Sequence, residues 1–347
     1  MKISDFKKFY SQLSKDSREK AKLKICPICG KEQTSFCNSH SIPKFVLNNI
    51  SVDGKLLQFS RVALDDFSRE NHLIDIEKGL KNSCTFQLIC RDCDSKIFSE
   101  YENSDNLQKR PSNKMMAEIE LKNSAMMLSR RLYDRKFYET LEKTADNFDR
   151  GPLVDIQNCD IQDYALELKR TVRTVEGNQP TKYKLLYWKK YPYKMPLACQ
   201  APIALRETIS GKKVNDLNNL DLDYHVEEMQ LCVFPLEKET VIIMFYPEKF
   251  DKRYRLFRNE FLRLPEKQKL QYINYLIFAY TENLTLSPHI QSEILKNENL
   301  HALANENNGI PNMGFIPIGI GGELKEYFHP ISWKEIPNVL DLKYAVE

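Results

Sequence analysis

Glycine is scarce in this chain, 11 of 347 residues, and long apolar runs are missing altogether. No stretch of about 18 apolar residues occurs, which excludes a helical membrane span. The first residues, Met1-Lys2-Ile3-Ser4-Asp5, lack the apolar core of a signal peptide. A reducing, cytoplasmic setting is therefore expected, in which the nine cysteines favour metal ligation over disulfides. Internal repeats and low-complexity linkers are absent. No Gly-x-Gly-x-x-Gly follows a clear strand, so the Gly/Pro-rich tail Gly314 to Gly322 receives no nucleotide site. Charge of one sign is lacking too. A net charge of +3 is too small to mark a nucleic-acid binder by itself, although residues 1–50 hold ten Lys/Arg against four Asp/Glu.

What is present reads as an α+β protein. Ser4 can cap a helix over about 5–22, with Phe6, Phe9, Tyr10 and Leu13 as its apolar stripe. Lys55–Phe59 and Thr85–Ile89 read as short strands, and 94–101 as helical. Pro111-Ser112 precedes a long helix over 114–145 with a Met-rich stripe, and Asp160 opens another to about Val175. Beyond Pro180 come four β-rich runs, 183–189, 197–205, 229–235 and 240–246, which predict an antiparallel sheet. Pro265 starts a buried helix to about Thr281. The expected organisation is a zinc-binding module at 1–110, a helical connector at 111–180 and an α+β body at 181–347.

The chemistry concentrates in two Cys-x-x-Cys turns, Cys26-Pro-Ile-Cys29-Gly and Cys90-Arg-Asp-Cys93. Two-residue spacing lets both sulfurs of a turn face one metal, and four thiolates complete a tetrahedral structural Zn²⁺. A second set, Cys26, Cys29, Cys37 and His40, has compatible spacing, but it leaves Cys90 and Cys93 idle. Cys37, Cys84, Cys159, Cys199 and Cys232 fall outside the two turns and read mainly as buried small hydrophobes.

These turns, together with Ser39-His40-Ser41-Ile42-Pro43 and Gln87-Leu88-Ile89-Cys90-Arg91-Asp92-Cys93-Asp94, resemble the zinc-stapled HNH endonuclease module over residues 25–102. Phe36 to Phe45 and Cys93 to Glu102 look like uncharacterised bacterial HNH-like proteins. The resemblance implies an N-terminal ββα unit, with His40 as general base activating a water toward a phosphodiester. Asp94 falls at a metal-binding position, where an oxygen ligand would suit catalytic Mg²⁺ or Mn²⁺. Glu100 or Glu102 could add a carboxylate. The sequence departs from the family pattern at Ser39, where an acidic metal ligand is usual, and at Thr85, where an orienting Asn is usual. The implied activity is metal-dependent cleavage of DNA or RNA, in defence against foreign DNA. The alternative is a non-catalytic zinc-stapled module that binds nucleic acid, a protein partner or a second copy of itself. A further reading places function in the C-terminal body, around His225 or His289, or on the Tyr/Lys-rich segment 183–194, which could stack on bases.

Overall fold

The computed structural model describes residues 3–58, 76–144, 153–178, 180–217, 219, 221, 223–281, 283–307 and 331–347. The Gly/Pro-rich tail 314–322, Phe59, and the side chains of Phe6 and Tyr10 lie outside the described parts. In chain order the N-terminal region holds α1 (Ile3–Ala21), β1 (Ser39–His40), α2 (Lys44–Ile50), β2 (Lys55–Gln58), β3 (Ile76–Gly79) and β4 (Thr85–Phe86). Helices α3 (Arg91–Ile97), α4 (Ser104–Leu107), α5 (Asn113–Thr144) and α6 (Leu153–Val175) follow. The remainder comprises β5 (Tyr183–Tyr191), β6 (Leu197–Ile203), β7 (Met229–Pro235), β8 (Thr240–Pro247), α7 (Asp251–Arg263), α8 (Glu266–Tyr280), β9 (Leu284–Leu286), α9 (Ser292–Leu295) and α10 (Glu298–Asn307). The fold is α+β, as the alternation of patterns predicts.

An antiparallel sheet in the order β3-β2-β9-β6-β7-β8-β5 organises the molecule. Its central strands are buried along their whole length because both faces are covered, and a strand sends alternate side chains to opposite faces. In β8, Ile242, Met244 and Tyr246 face the core formed with Tyr254, Phe257 and Phe261 of α7 and Ile273 and Ile277 of α8. Val241, Ile243 and Phe245 belong instead to the core shared with α5 and the cysteine-bearing lobe. Each such fully buried side chain is worth roughly 1.5–3 kcal/mol of transfer free energy.

The sheet also ties the two ends of the chain together. Leu57 and Gln58 of β2 pair with Leu286 and Thr285 of β9, and Thr285 Oγ1 donates to Leu57 O at 2.7 Å. The sequence patterns reveal β2 only as a strand-like piece and β9 not at all. Three residues flanked by polar positions are too short for a period to register. Helix α7 is also unmarked by those patterns, although Tyr254, Phe257 and Phe261 recur at helical spacing on its buried side.

Edge strand β5 shows what the Tyr/Lys-rich segment does. Tyr187 and Tyr191 are buried, and both hydroxyls donate toward Glu266 Oε1. Lys184, Lys189 and Lys190 pair with Asp251, Glu266 and Glu239. Charged lysines along an unpaired edge keep it from adding another strand. Two of the rings and three of the lysines are thus engaged within the protein, as at an ordinary sheet edge.

Helix α5 runs between the cysteine-bearing lobe and the sheet, packed also on α1 and α6. Residues 115–126 are buried on every side. That stretch includes Glu118, Glu120, Lys122 and Asn123, so α5 carries charge into the interior rather than a single apolar stripe.

Candidate metal centre

The first Cys-x-x-Cys turn folds back on itself through Gly30 N–H to Cys26 O at 2.9 Å and Cys26 N–H to Lys31 O at 3.0 Å. Gly30 sits at φ +70, the left-handed region that a side chain enters at a cost of roughly 1–2 kcal/mol. Cys90 occupies the N-cap position of α3 and Cys93 lies in the first turn of that helix. A helix N-terminus favours negative charge, here thiolate.

The four sulfurs converge although 67 positions separate Cys26 from Cys93. Cys26 Sγ and Cys93 Sγ are 4.0 Å apart, Cys29 Sγ and Cys90 Sγ 3.8 Å, and all four lie within 4.8 Å of one another. Tetrahedral Zn²⁺ with Zn–S bonds near 2.3 Å sets its sulfurs about 3.8 Å apart, so this set fits a structural zinc. Among the described residues it is the one His/Cys/Asp/Glu group of three or more with metal-binding geometry. Burial pushes the Cys26 thiol up, but backbone N–H groups around the turn outweigh it and hold it below the ordinary value. Cys90 and Cys93 are raised by burial and by neighbouring sulfurs, a penalty that a divalent cation at the centre reverses.

The competing ligand set does not assemble. Cys37 Sγ donates to Ile89 O at 3.0 Å, and burial pushes its thiol up to about 11. His40 points elsewhere.

His40 pairs with Thr85 across the short β1–β4 ladder, which precedes α3. Its Nε2 lies 3.2 Å from Leu80 O. A carbonyl can only accept, so Nε2 carries the proton and Nδ1 keeps its lone pair. Burial, with Lys44 and Lys122 adding to it, holds the imidazole below its usual pKa, hence neutral at pH 7. Ser41, the next residue, is buried and donates to Cys84 O at 2.9 Å.

Compared with protein-family models, curated proteins and solved structures, the chain gives no match. Its chemistry must therefore be read from the site itself.

Asp94 is engaged rather than open. Lys122 Nζ lies 2.8 Å from Asp94 Oδ1, 3.0 Å from Glu102 Oε1 and 3.1 Å from Ser39 Oγ, and Ser39 also donates to Asp94. The ammonium rests 3.6 Å from the centre of the Phe98 ring. Burial raises the Asp94 carboxyl, but Lys122 and Ser39 outweigh it and hold the group below the usual carboxylate range. Glu100 accepts from Ser112.

Sequence reasoning missed Lys122, because a lysine in the middle of a long helix ordinarily reads as solvated. Its signal is the spacing from Glu118, four residues earlier and on the same helix face. Glu118 Oε2 accepts the N–H groups of Glu100 and Tyr101 at 2.9 and 3.0 Å, so α5 holds the loop after α3 with two charged side chains.

Around this centre Lys24, Lys31, Lys44, Lys81, Arg91 and Lys96 are exposed. Lys31 and Lys96 line one groove beside Cys29, together with Asp92 and Glu176.

Proposed function

We propose that this chain is a zinc-stapled, HNH-like protein that binds nucleic acid. The observation that carries the reading is the set of exposed cations on a lobe whose four converging thiols suit a structural zinc, in a segment whose motifs resemble that family. Such cations meet phosphates and release condensed counterions, so affinity falls steeply with salt. Structural zinc holds the lobe in shape while the lysines act at its surface.

The test is binding of labelled DNA and RNA, duplex and single-stranded, to zinc-loaded protein over a range of salt concentrations. Each phosphate-contacting lysine changed to glutamine should lower the log–log salt slope by about one. Lys24→Gln, Lys31→Gln and Lys44→Gln are the first variants to measure. Affinity that ignores both salt and these changes removes the reading and points to a protein partner.

Phosphodiester hydrolysis is the second reading, favoured by one observation. His40 is neutral, with Nδ1 as its remaining lone pair, the state a general base needs. Nicking of plasmid DNA or of RNA with added Mg²⁺ or Mn²⁺, abolished by His40→Ala, would establish it. Equal cleavage by that variant would assign the activity to a contaminant.

A further inference from the structure

We propose that the pocket formed by Asp94, Glu102, Ser39 and the face of Phe98 is a monovalent-cation seat filled by the protein's own Lys122, so that no divalent ion binds between Asp94 and Glu102. The seat is independent of whether the lobe binds nucleic acid.

The Lys122 side chain is 1% exposed, and its ammonium is met by two carboxylates, a hydroxyl and an aromatic face. Three ammonium protons have three oxygen acceptors at 2.8, 3.0 and 3.1 Å, leaving none unsatisfied. Phe98 closes the remaining side with its negative π-face. The acceptors belong to separate parts of the lobe: β1, α3 and the turn beyond it. One charge from α5 therefore closes all of them around itself.

The same oxygens would be needed by any divalent ion there. Mg²⁺ and Mn²⁺ take carboxylate oxygens at about 2.1 Å and favour octahedral oxygen sites. A divalent ion can take these oxygens only if Lys122, itself 1% exposed, gives them up. Without it the two partly exposed carboxylates, 27% and 35% exposed, would face each other with no counter-charge between them. Lys122 thus does the charge-balancing work of a cation cofactor without an ion having to bind.

The test titrates zinc-loaded protein with Mn²⁺ and follows bound Mn²⁺ by electron paramagnetic resonance. Wild type should take up no Mn²⁺ that Asp94→Asn removes. Lys122→Ala should gain one Mn²⁺ per chain, more than about tenfold tighter than wild type, and the Lys122→Ala/Asp94→Asn double variant should lose it again. If Lys122→Ala folds only when Mn²⁺ is added, that rescue supports the seat equally. The wild-type protein gives an independent readout by nuclear magnetic resonance. Signals of Asp94 and Lys122 should keep their intensity when paramagnetic Mn²⁺ is present. Broadening of those signals, Asp94-dependent Mn²⁺ binding by wild type, or a Lys122→Ala protein that never acquires Mn²⁺ would overturn the proposal.

Discussion

The hydroxyl of Ser41 lies 2.8 Å from the side-chain oxygen of Asn283, across 242 positions of sequence. Ser41 directly follows His40 in the cysteine-bearing lobe, and Asn283 stands just before β9 in the large sheet. The Asn283 amide donates to Gln200 O at 2.6 Å, and Gln200 Nε2 donates to Asn123 of α5 at 3.1 Å. Asn123 in turn donates to Gln230 of β7 at 2.8 Å. A buried polar chain therefore links the His40 segment, the sheet and the central helix. Buried hydrogen-bond chains of this kind couple the parts they join.

Asn283→Ala should lower stability by about 2 kcal/mol, because the buried Gln200 carbonyl loses that donor and the tie to Ser41 goes with it. Ser41→Ala should cost less. A double-mutant cycle between them, read by urea denaturation, should give a coupling of about 1 kcal/mol. Simple additivity would mean that the contact does not join the two regions energetically.

Zinc should leave with any one of the four converging thiols and stay without Cys37. Cys90→Ser should lose stoichiometric zinc and the folding of the N-terminal lobe, since structural zinc supplies on the order of 10 kcal/mol in small zinc modules. Cys37→Ser should retain one zinc per chain, because that sulfur is bonded to Ile89 O instead. Metal analysis together with near-ultraviolet circular dichroism reads both outcomes. Loss of zinc from Cys37→Ser would reinstate the compact set with His40.

Glu118 should give the protein a pH dependence opposite to that of an ordinary paired carboxylate. Burial pushes its folded-state pKa up to about 7, from 4.5, against the two N–H groups that it accepts. Below the unfolded value both states are protonated and the group contributes no difference. As pH rises toward 7 the unfolded chain sheds the proton first, so stability is lost through that window. Glu118→Gln keeps a carbonyl acceptor and removes the titration. Its stability relative to wild type should improve between pH 5 and pH 8, by up to about 3 kcal/mol. A difference that does not change with pH would show the carboxyl to be ionised throughout.

Legibility in the sequence followed pattern length. Runs such as Met229–Pro235 and Thr240–Pro247 are long enough for a strand to declare itself, and 113–144 is long enough for a helix. Helix α6 begins at Leu153, seven residues before the Asp160 start that capping chemistry suggests, because packing on α5 extends it beyond its local signal. Short elements such as β9 and α2 exist through tertiary pairing and burial, which no local window contains.

By itself, the sequence determined that four thiols in two Cys-x-x-Cys turns would suit zinc, and that helices and antiparallel strands would share the chain. Ligand spacing and side-chain periodicity are local, so they survive in one dimension. Only the tertiary structure decided that Cys26 meets Cys93 while Cys37 stays apart, and that Asp94 and Glu102 meet an ammonium from α5. Those pairings arise when helices and sheet bury their apolar faces together. A charge carried inward by that burial then has to find its opposite within about 3 Å, wherever in the chain the opposite lies.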